Sequence, residues 1–282
     1  MEIAVGLPNA IHDVDSDSLI EFAKRADSRG FSSLGTVDRI VYPNFEPLLS
    51  LAAVASVTER IRLATTVLLG PLRPNVAVLA KQALTLDALS GGRFWLGIGL
   101  GARQDDYEVS EISWKGRGAT LDRQLAQVKE IWKGGEIGPA PVRPGGPELI
   151  IGGTVDAAFE RVAKYGDGWI MHAATPETFP EPAAKADEAW KRAGRSGRPR
   201  KATLAYYALG PDAEALARRA IGHYYAWLGE YAGQIIQSAA TTPDMVKRYV
   251  DGFEQAGCDE VVFFPSSKDP EQLDLLADAV GK

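Results

Sequence analysis

The chain has 282 residues, is 45% hydrophobic and carries a formal net charge of −6 at pH 7. Ordinary charged, glycine and proline content excludes a disordered chain, and the acidic balance argues against nucleic acid or a membrane surface as the main partner. No apolar run is long enough to span a bilayer, the N-terminal MEIAVGLPNA lacks the basic stretch of a secretory signal, and Cys258, the only cysteine, permits no internal disulfide and points to a reducing, cytoplasmic setting.

In chain order, residues 3–7 read as a first strand ended by Pro8 and Asn9. Ser18 and Glu21 fit a capping box for a helix with Leu19, Phe22, Ala23 and Ala26 at helical spacing. Gly30 closes it, and residues 31–37 form a short second strand ending at Asp38 and Arg39. A helix through Leu51, Val54 and Ala55 follows. Residues 61–69 are apolar and β-branched without alternation, as a strand covered on both faces should be. Pro74 sits near a helix start, Leu79, Ala83 and Leu86 keep the stripe, and Gly91 and Gly92 stop it. Residues 94–100 are a second buried run, so strand, helix and strand make one parallel βαβ unit.

A polar loop follows Gly101, then a helix through Leu121, Leu125, Val128 and Trp132. Residues 134–147 read as a long surface loop. Strand five spans residues 149–151, strand six 168–172, strand seven 202–209 and strand eight 261–264, each followed by a helical pattern. Residues 211–240 form an extra helical segment after strand seven. Eight alternating units with one composition throughout favour a closed (β/α)8 TIM barrel over a doubly wound sheet, as one domain spanning 1–282 with 211–240 as an insertion or lid.

In such a barrel the site lies at the C-terminal strand ends. That selects Asn9 and His12, Asp38 and Arg39, Thr65 to Leu69, Gly99 to Asp106, Gly152 to Thr154, His172, residues 206–240 and residues 265–267. Gly97 to Ala102 match the letters of a dinucleotide fingerprint, but no helix opens at once after them. Their glycines let a strand end pass close to a bulky neighbour, whether a side chain or a flat cofactor ring. Gly152-Gly153-Thr154 is either a tight turn with Thr154 as N-cap or a backbone site for an anion at a helix N-terminus. His12, His172 and His223 all fall on the mouth side without metal-ligand spacing. The run His223-Tyr224-Tyr225-Ala226-Trp227 is either helix core or a set of rings over an apolar ligand. Nothing resembles an acyl-transfer triad.

Residues 60–67, Arg73-Pro74, the run 92–101, residues 150–154 and Gly166-Asp167-Gly168-Trp169 together resemble the bacterial luciferase-like monooxygenases, in order and over nearly the whole chain. The resemblance implies a barrel that binds FMN or coenzyme F420, with the ring over the mouth near strand three. It implies a non-prolyl cis peptide between Thr66 and Val67, making Thr65, Thr66 and Val67 a wall behind the ring beside Gly99 and Gly101. It puts the cofactor phosphate at Gly152, Gly153 and Thr154. Asp38 and Arg39 stand where the family often has an acidic residue and a histidine, and Arg39 departs from that histidine. Ala102 stands where sugar-phosphate dehydrogenases of the family carry a glutamate, which argues against that activity.

The expectation is a luciferase-like flavin-dependent oxidoreductase, a monooxygenase using reduced FMN and O2 on a small organic substrate, with a separate reductase supplying the cofactor. Asp38, Arg39, His172 and His223 are its candidate catalytic residues, and Asn9, His12, Tyr224 and Trp227 its candidate substrate contacts. F420-dependent hydride transfer, a flavin-binding barrel without catalysis and a metal-dependent hydrolase are the rivals; the histidine spacing disfavours the last. The family expectation for assembly is a homodimer through the helices after strands two and three.

Overall fold

The computed structural model describes residues 1–282. Its strands are β1 (Glu2–Gly6), β2 (Ser33–Thr36), β3 (Arg62–Thr65), β4 (Leu68–Leu69), β5 (Phe94–Gly99), β6 (Glu148–Gly152), β7 (Gly168–Met171), β8 (Arg200–Tyr207) and β9 (Glu260–Pro265). They pair in the order β3-β2-β1-β9-β8-β7-β6-β5-β4, and β3 also pairs with β5. Every pair is parallel. β3 and β4 are two parts of one barrel strand, interrupted at a cis peptide between Thr66 and Val67. The result is a closed (β/α)8 barrel, as the alternating units predict.

The helices are α1 (Ser16–Ser28), α2 (Pro47–Ala55), α3 (Val76–Leu89), α4 (Gln104–Val109), α5 (Arg117–Gly134), α6 (Asp156–Tyr165), α7 (Pro180–Arg192), α8 (Ala213–Tyr224), α9 (Tyr231–Gln237), α10 (Pro243–Gln255) and α11 (Glu271–Val280). Their apolar faces and the outer faces of the strands form one core of 53 buried residues. α10 shows the local logic: Thr242 accepts from Met245 N, Pro243 fills the first turn, and Val246, Tyr249 and Phe253 face inward. No helix is long and apolar enough to cross a membrane.

Three local expectations are corrected. The N-cap of α1 is Asp15, whose carboxylate accepts from Ser18 N, while Glu21 pairs with Arg25 one turn on. Thr154 does not cap α6; the N-cap position is Val155, with no side-chain bond. The polar stretch after Gly101 is not all loop, since α4 begins at Gln104. Asp105 and Asp106 occupy the first turn of α4 and oppose an anion there, so the dinucleotide reading still fails.

Inside the barrel, Ala64, Trp95, Ile150, Ile170 and Ala202 pack as one cluster, and Ala4, Val37, Leu204, Val262 and Phe264 as another. The ring of Phe264 lies where a Cβ on Gly6 would meet it at 2.2 Å, so glycine is required there. At the N-terminal end of the barrel, Arg200 donates to Glu260 at 2.8 Å, to Glu2 at 2.8 Å and to Glu148 at 3.1 Å. Ser32 and Ser33 donate to the other Glu260 oxygen at 2.6 and 2.7 Å, and Arg62 also pairs with Glu148. Burial works against ionisation of Glu148, but Arg200 and Arg62 hold its carboxyl below the usual range.

The insertion after β8 consists of α8, a 3-10 turn at Ala226–Leu228 and α9. Eight of its and its neighbours' buried residues form a cluster separate from the main core.

Candidate functional site

The cis bond and the strands beside it shape one half of the mouth. Thr66 N donates to Thr36 O at 2.7 Å, Thr66 Oγ1 to the same oxygen at 3.0 Å, and Thr65 Oγ1 to Gly97 O at 2.6 Å. Both threonines are therefore buried with their hydroxyls bonded to neighbouring strands, and the half-buried Val67 is the side chain the bulge presents. A Cβ on Gly99 or on Gly152 would lie 2.9 Å from a Val67 methyl. Gly101 has φ 73°, and a Cβ there would meet Leu69 at 2.7 Å. The ends of β5 and β6 thus form a floor without side chains, with Val67 lying against it.

Asp38 braces that bulge. Its carboxylate accepts from Leu69 N at 2.7 Å and from Arg73 at 2.6 and 3.2 Å. Burial raises its pKa and the Arg73 guanidinium works against that rise. A carboxylate so engaged is a clamp on β4 rather than a free acid or base.

After β6, Gly153 takes φ 129° and its carbonyl accepts from Trp169 Nε1 at 2.7 Å. Gly153, Thr154, Val155 and Asp156 are exposed, and α6 starts without a side-chain cap. Ala158 N already donates to Val155 O at 2.8 Å, so the N–H groups of Asp156 and Ala157 are the ones α6 leaves for an outside acceptor. Asp156, in that turn, is the one charge that opposes an anion.

The other half of the mouth is aromatic. His172, just past β7, meets Tyr225 Oη at 2.9 Å, and Tyr225 Oη meets Tyr206 Oη at 2.8 Å. Desolvation at the bottom of the concave mouth lowers the His172 pKa to about 4. The ring surface itself is open to water, which moderates that shift, and the imidazole is neutral at pH 7. Burial raises the pKa of Tyr206, Tyr224 and Tyr225, so all three remain O–H donors. His223 Nδ1 bonds Tyr42 Oη at 2.7 Å, and the His12 ring packs edge-on against His223 at 5.2 Å. A narrow, mostly apolar cavity of about 30 Å³ lies against Leu7, Val37, Tyr206, Tyr224 and Phe264.

Arg39 crosses between the halves. Its Nε donates to Asp106 at 2.6 Å, and its Nη2 to Asp106 at 3.3 Å and to Val41 O at 3.1 Å. Asp106 also accepts from Ile40 N and Val41 N at 2.9 and 2.7 Å. That one carboxylate ties α4 to the loop after β2.

The structure therefore gathers Arg39, His172, His223, His12 and Tyr224 with Val67 and the glycine floor at the mouth. It does not offer Asn9: both amide protons go to Val37 O and Phe45 O, and its oxygen accepts from Val37 N, so it fastens the loop after β2. Trp227 is exposed on the 3-10 turn, 5.3 Å from the Arg103 guanidinium. Asp106 and Tyr206 fall within the strand-end spans 99–106 and 206–240 selected from the sequence, whereas Tyr42 and Arg73 are site residues those spans leave out. The pairing of Arg39 with Asp106, 67 residues apart, left no sequence signal.

Comparison with known proteins agrees with this architecture. The sequence profile of the luciferase-like monooxygenases matches residues 1–249. An uncharacterized protein of Mycobacterium tuberculosis is 30% identical over 213 residues, covering 63% of this chain and 73% of that protein. An F420-dependent glucose-6-phosphate dehydrogenase of Amycolatopsis mediterranei is 29% identical over 191 residues, 60% of this chain and 57% of the relative. The crystal structure of the monooxygenase RslO1 from Streptomyces bottropensis superposes with a TM-score of 0.81 at 20% identity, over 99% of this chain and 98% of the other.

Proposed function

This chain belongs to the luciferase-like monooxygenase family, and from that premise we propose a monooxygenase that receives reduced FMN from a separate reductase and oxygenates a small organic substrate. The carrying observation is the floor at Gly99 and Gly152, where any Cβ would strike Val67. That seating leaves the half-buried Val67 facing the mouth as an apolar face against which a planar ring can stack. Bound reduced FMN supplies the electrons that activate O2.

The chain's own groups have separable roles in this reading. Val67 supports one ring face, with Thr65 and Thr66 fixing it through the barrel wall. The N–H groups of Gly153 and Thr154 receive the phosphate. Neutral His172, joined to Tyr225 and Tyr206, holds or passes a proton at the mouth. Arg39 cannot do so, because a guanidinium keeps its proton. The insertion, with His223, Tyr224 and Trp227, borders the open mouth and would close over bound cofactor and substrate to exclude water. Residues 1–282 are taken as one barrel domain acting in the cytoplasm as a homodimer.

F420-dependent hydride transfer is the second reading, favoured by the 29% identity to an F420-dependent dehydrogenase. Ala102, in place of the glutamate implied for sugar-phosphate dehydrogenases, speaks against that relative's substrate. Titrating the protein with FMN and with F420, followed by ring absorbance and fluorescence, separates the two. FMN binding with O2 uptake on adding reduced FMN and substrate is the expected result. F420 binding without FMN binding overturns the first reading, FMN binding without turnover leaves a passive carrier, and binding of neither removes both enzyme readings.

A further inference from the structure

The Arg39 side chain is 5% exposed, yet only two of its three nitrogens have acceptors. Nη1 is buried and has no hydrogen-bond partner. A buried cationic donor without an acceptor is costly, and of the three such guanidinium nitrogens in the chain, at Arg29, Arg39 and Arg117, that of Arg39 is the one beside a ring that lines the mouth cavity. Its guanidinium carbon lies 5.7 Å from the Tyr42 ring centroid and 5.9 Å from that of Tyr224, and Tyr224 also lines the apolar cavity. Those rings flank the guanidinium, Tyr42 held by its bond to His223 and Tyr224 by its edge-on contact with Tyr42 at 5.1 Å. The insertion that carries Tyr224 and His223 packs largely through its own apolar cluster, with Tyr224 also resting on the cluster at Val37 and Phe264, so it can lift without disturbing the main core.

Charge decides which kind of oxygen Nη1 takes. Arg39, Arg73 and Arg103 here face Asp38, Glu46, Asp105 and Asp106. Three guanidiniums against four carboxylates leave the neighbourhood negative, and the Arg39 charge is already matched by Asp106. A carboxylate or phosphate ester would be repelled, whereas a neutral oxygen would complete the donor without adding charge. Resting on the reading of the mouth as a redox site, we propose that Arg39 Nη1 is the specificity-determining donor for the carbonyl oxygen of a neutral substrate with an apolar body. Tyr42 and Tyr224 swing aside to admit it, and because Tyr224 also lines the cavity of about 30 Å³, which as it stands holds no more than a water or two, the same movement widens that cavity beside Tyr206 and Phe264 for the apolar body.

Cyclohexanone labelled with carbon-13 at the carbonyl is the probe, with methylcyclohexane and cyclohexanecarboxylate as controls. The expected result is a carbonyl stretch moved to lower wavenumber on binding, with cyclohexanone held roughly tenfold tighter than either control, the size of one charge-assisted hydrogen bond. Arg39→Lys keeps a cation for Asp106 but removes Nη1, and it should abolish both the band shift and the preference. An unshifted band, a shift that persists in Arg39→Lys, or tighter binding of the carboxylate overturns the proposal. If Arg39→Lys does not fold, the wild-type band and the three affinities decide alone. FMN and F420 titrations on the same samples keep the two readings apart: failure of both cofactors ends the redox reading, while the carbonyl band still decides this one.

Discussion

The two ends of this barrel use polar groups in opposite ways. At the N-terminal end, Glu260 is fully buried and both its oxygens are taken, by Arg200 and by Ser32 and Ser33. Glu148 is likewise held by Arg62 and Arg200. At the C-terminal end, Gly99, Gly101 and Gly152 withhold side chains altogether, the turn into α6 has no cap, and Arg39 Nη1 has no acceptor. One sheet joins the ends, so the contrast is not one of fold. The lower end closes the ion cluster around Glu148 and Glu260 on itself and holds the strands in register. The upper end leaves surface and donors incomplete, and ligand chemistry belongs there.

Breaking the lower end should give the largest effect on stability and none specific to ligand. Arg200→Met leaves Glu260 buried without its guanidinium, at a cost of about 3–5 kcal/mol. Urea unfolding should show that loss, while the folded fraction binds cofactor as the wild type does. A weakened cofactor at unchanged stability would erase the distinction between the ends.

Filling the upper floor comes next. Gly152→Ala forces its new methyl against Val67, costing about 1–3 kcal/mol and at least tenfold in ring affinity. Adding Val67→Ala removes the colliding methyls and should restore stability, the non-additivity expected of contacting residues, while ring affinity stays low because the wall is gone. Full recovery of affinity would remove Val67 from the ring site.

Thr154→Glu should have a smaller effect, confined to the phosphate. A carboxylate in the α6 turn should weaken FMN about tenfold by like-charge repulsion and leave riboflavin, which lacks the phosphate, unchanged. Thr154 is the better position than Gly153, where φ 129° would add backbone strain to the charge effect. Equal losses for both ligands would place the phosphate elsewhere.

The smallest effect concerns pH. The His172 pKa is lowered to about 4 in the folded chain, below the usual histidine value near 6.5. The unfolded chain therefore takes up a proton first, so stability should fall as pH drops from about 6.5 toward 4. Water in the mouth keeps the slope shallow. His172→Gln should flatten it in urea midpoints measured between pH 5 and 7; an unchanged slope would mean the imidazole titrates normally.

The strands were legible because parallel strands covered on both faces must be apolar throughout, as residues 94–99 are. The interruption at Thr66–Val67 came only through family resemblance; no local propensity marks it. The side-chain-free floor was half legible: the glycines stand out, but that Val67 is what they accommodate is a three-dimensional fact. Asp38 and Asn9 look like site residues by position, yet Asp38 clamps β4 and Asn9 fastens a loop. The Arg39–Asp106 pair joins strand ends far apart in the chain, and hydrophobic periodicity carries no record of such long-range pairs.

The most direct test of the contrast between the ends is a crystal structure of the protein soaked with FMN. The account predicts the ring stacked on the mouth side of Val67, with its phosphate on the N–H groups of Gly153 and Thr154. A ring seated anywhere else, or a phosphate away from the α6 turn, would contradict it.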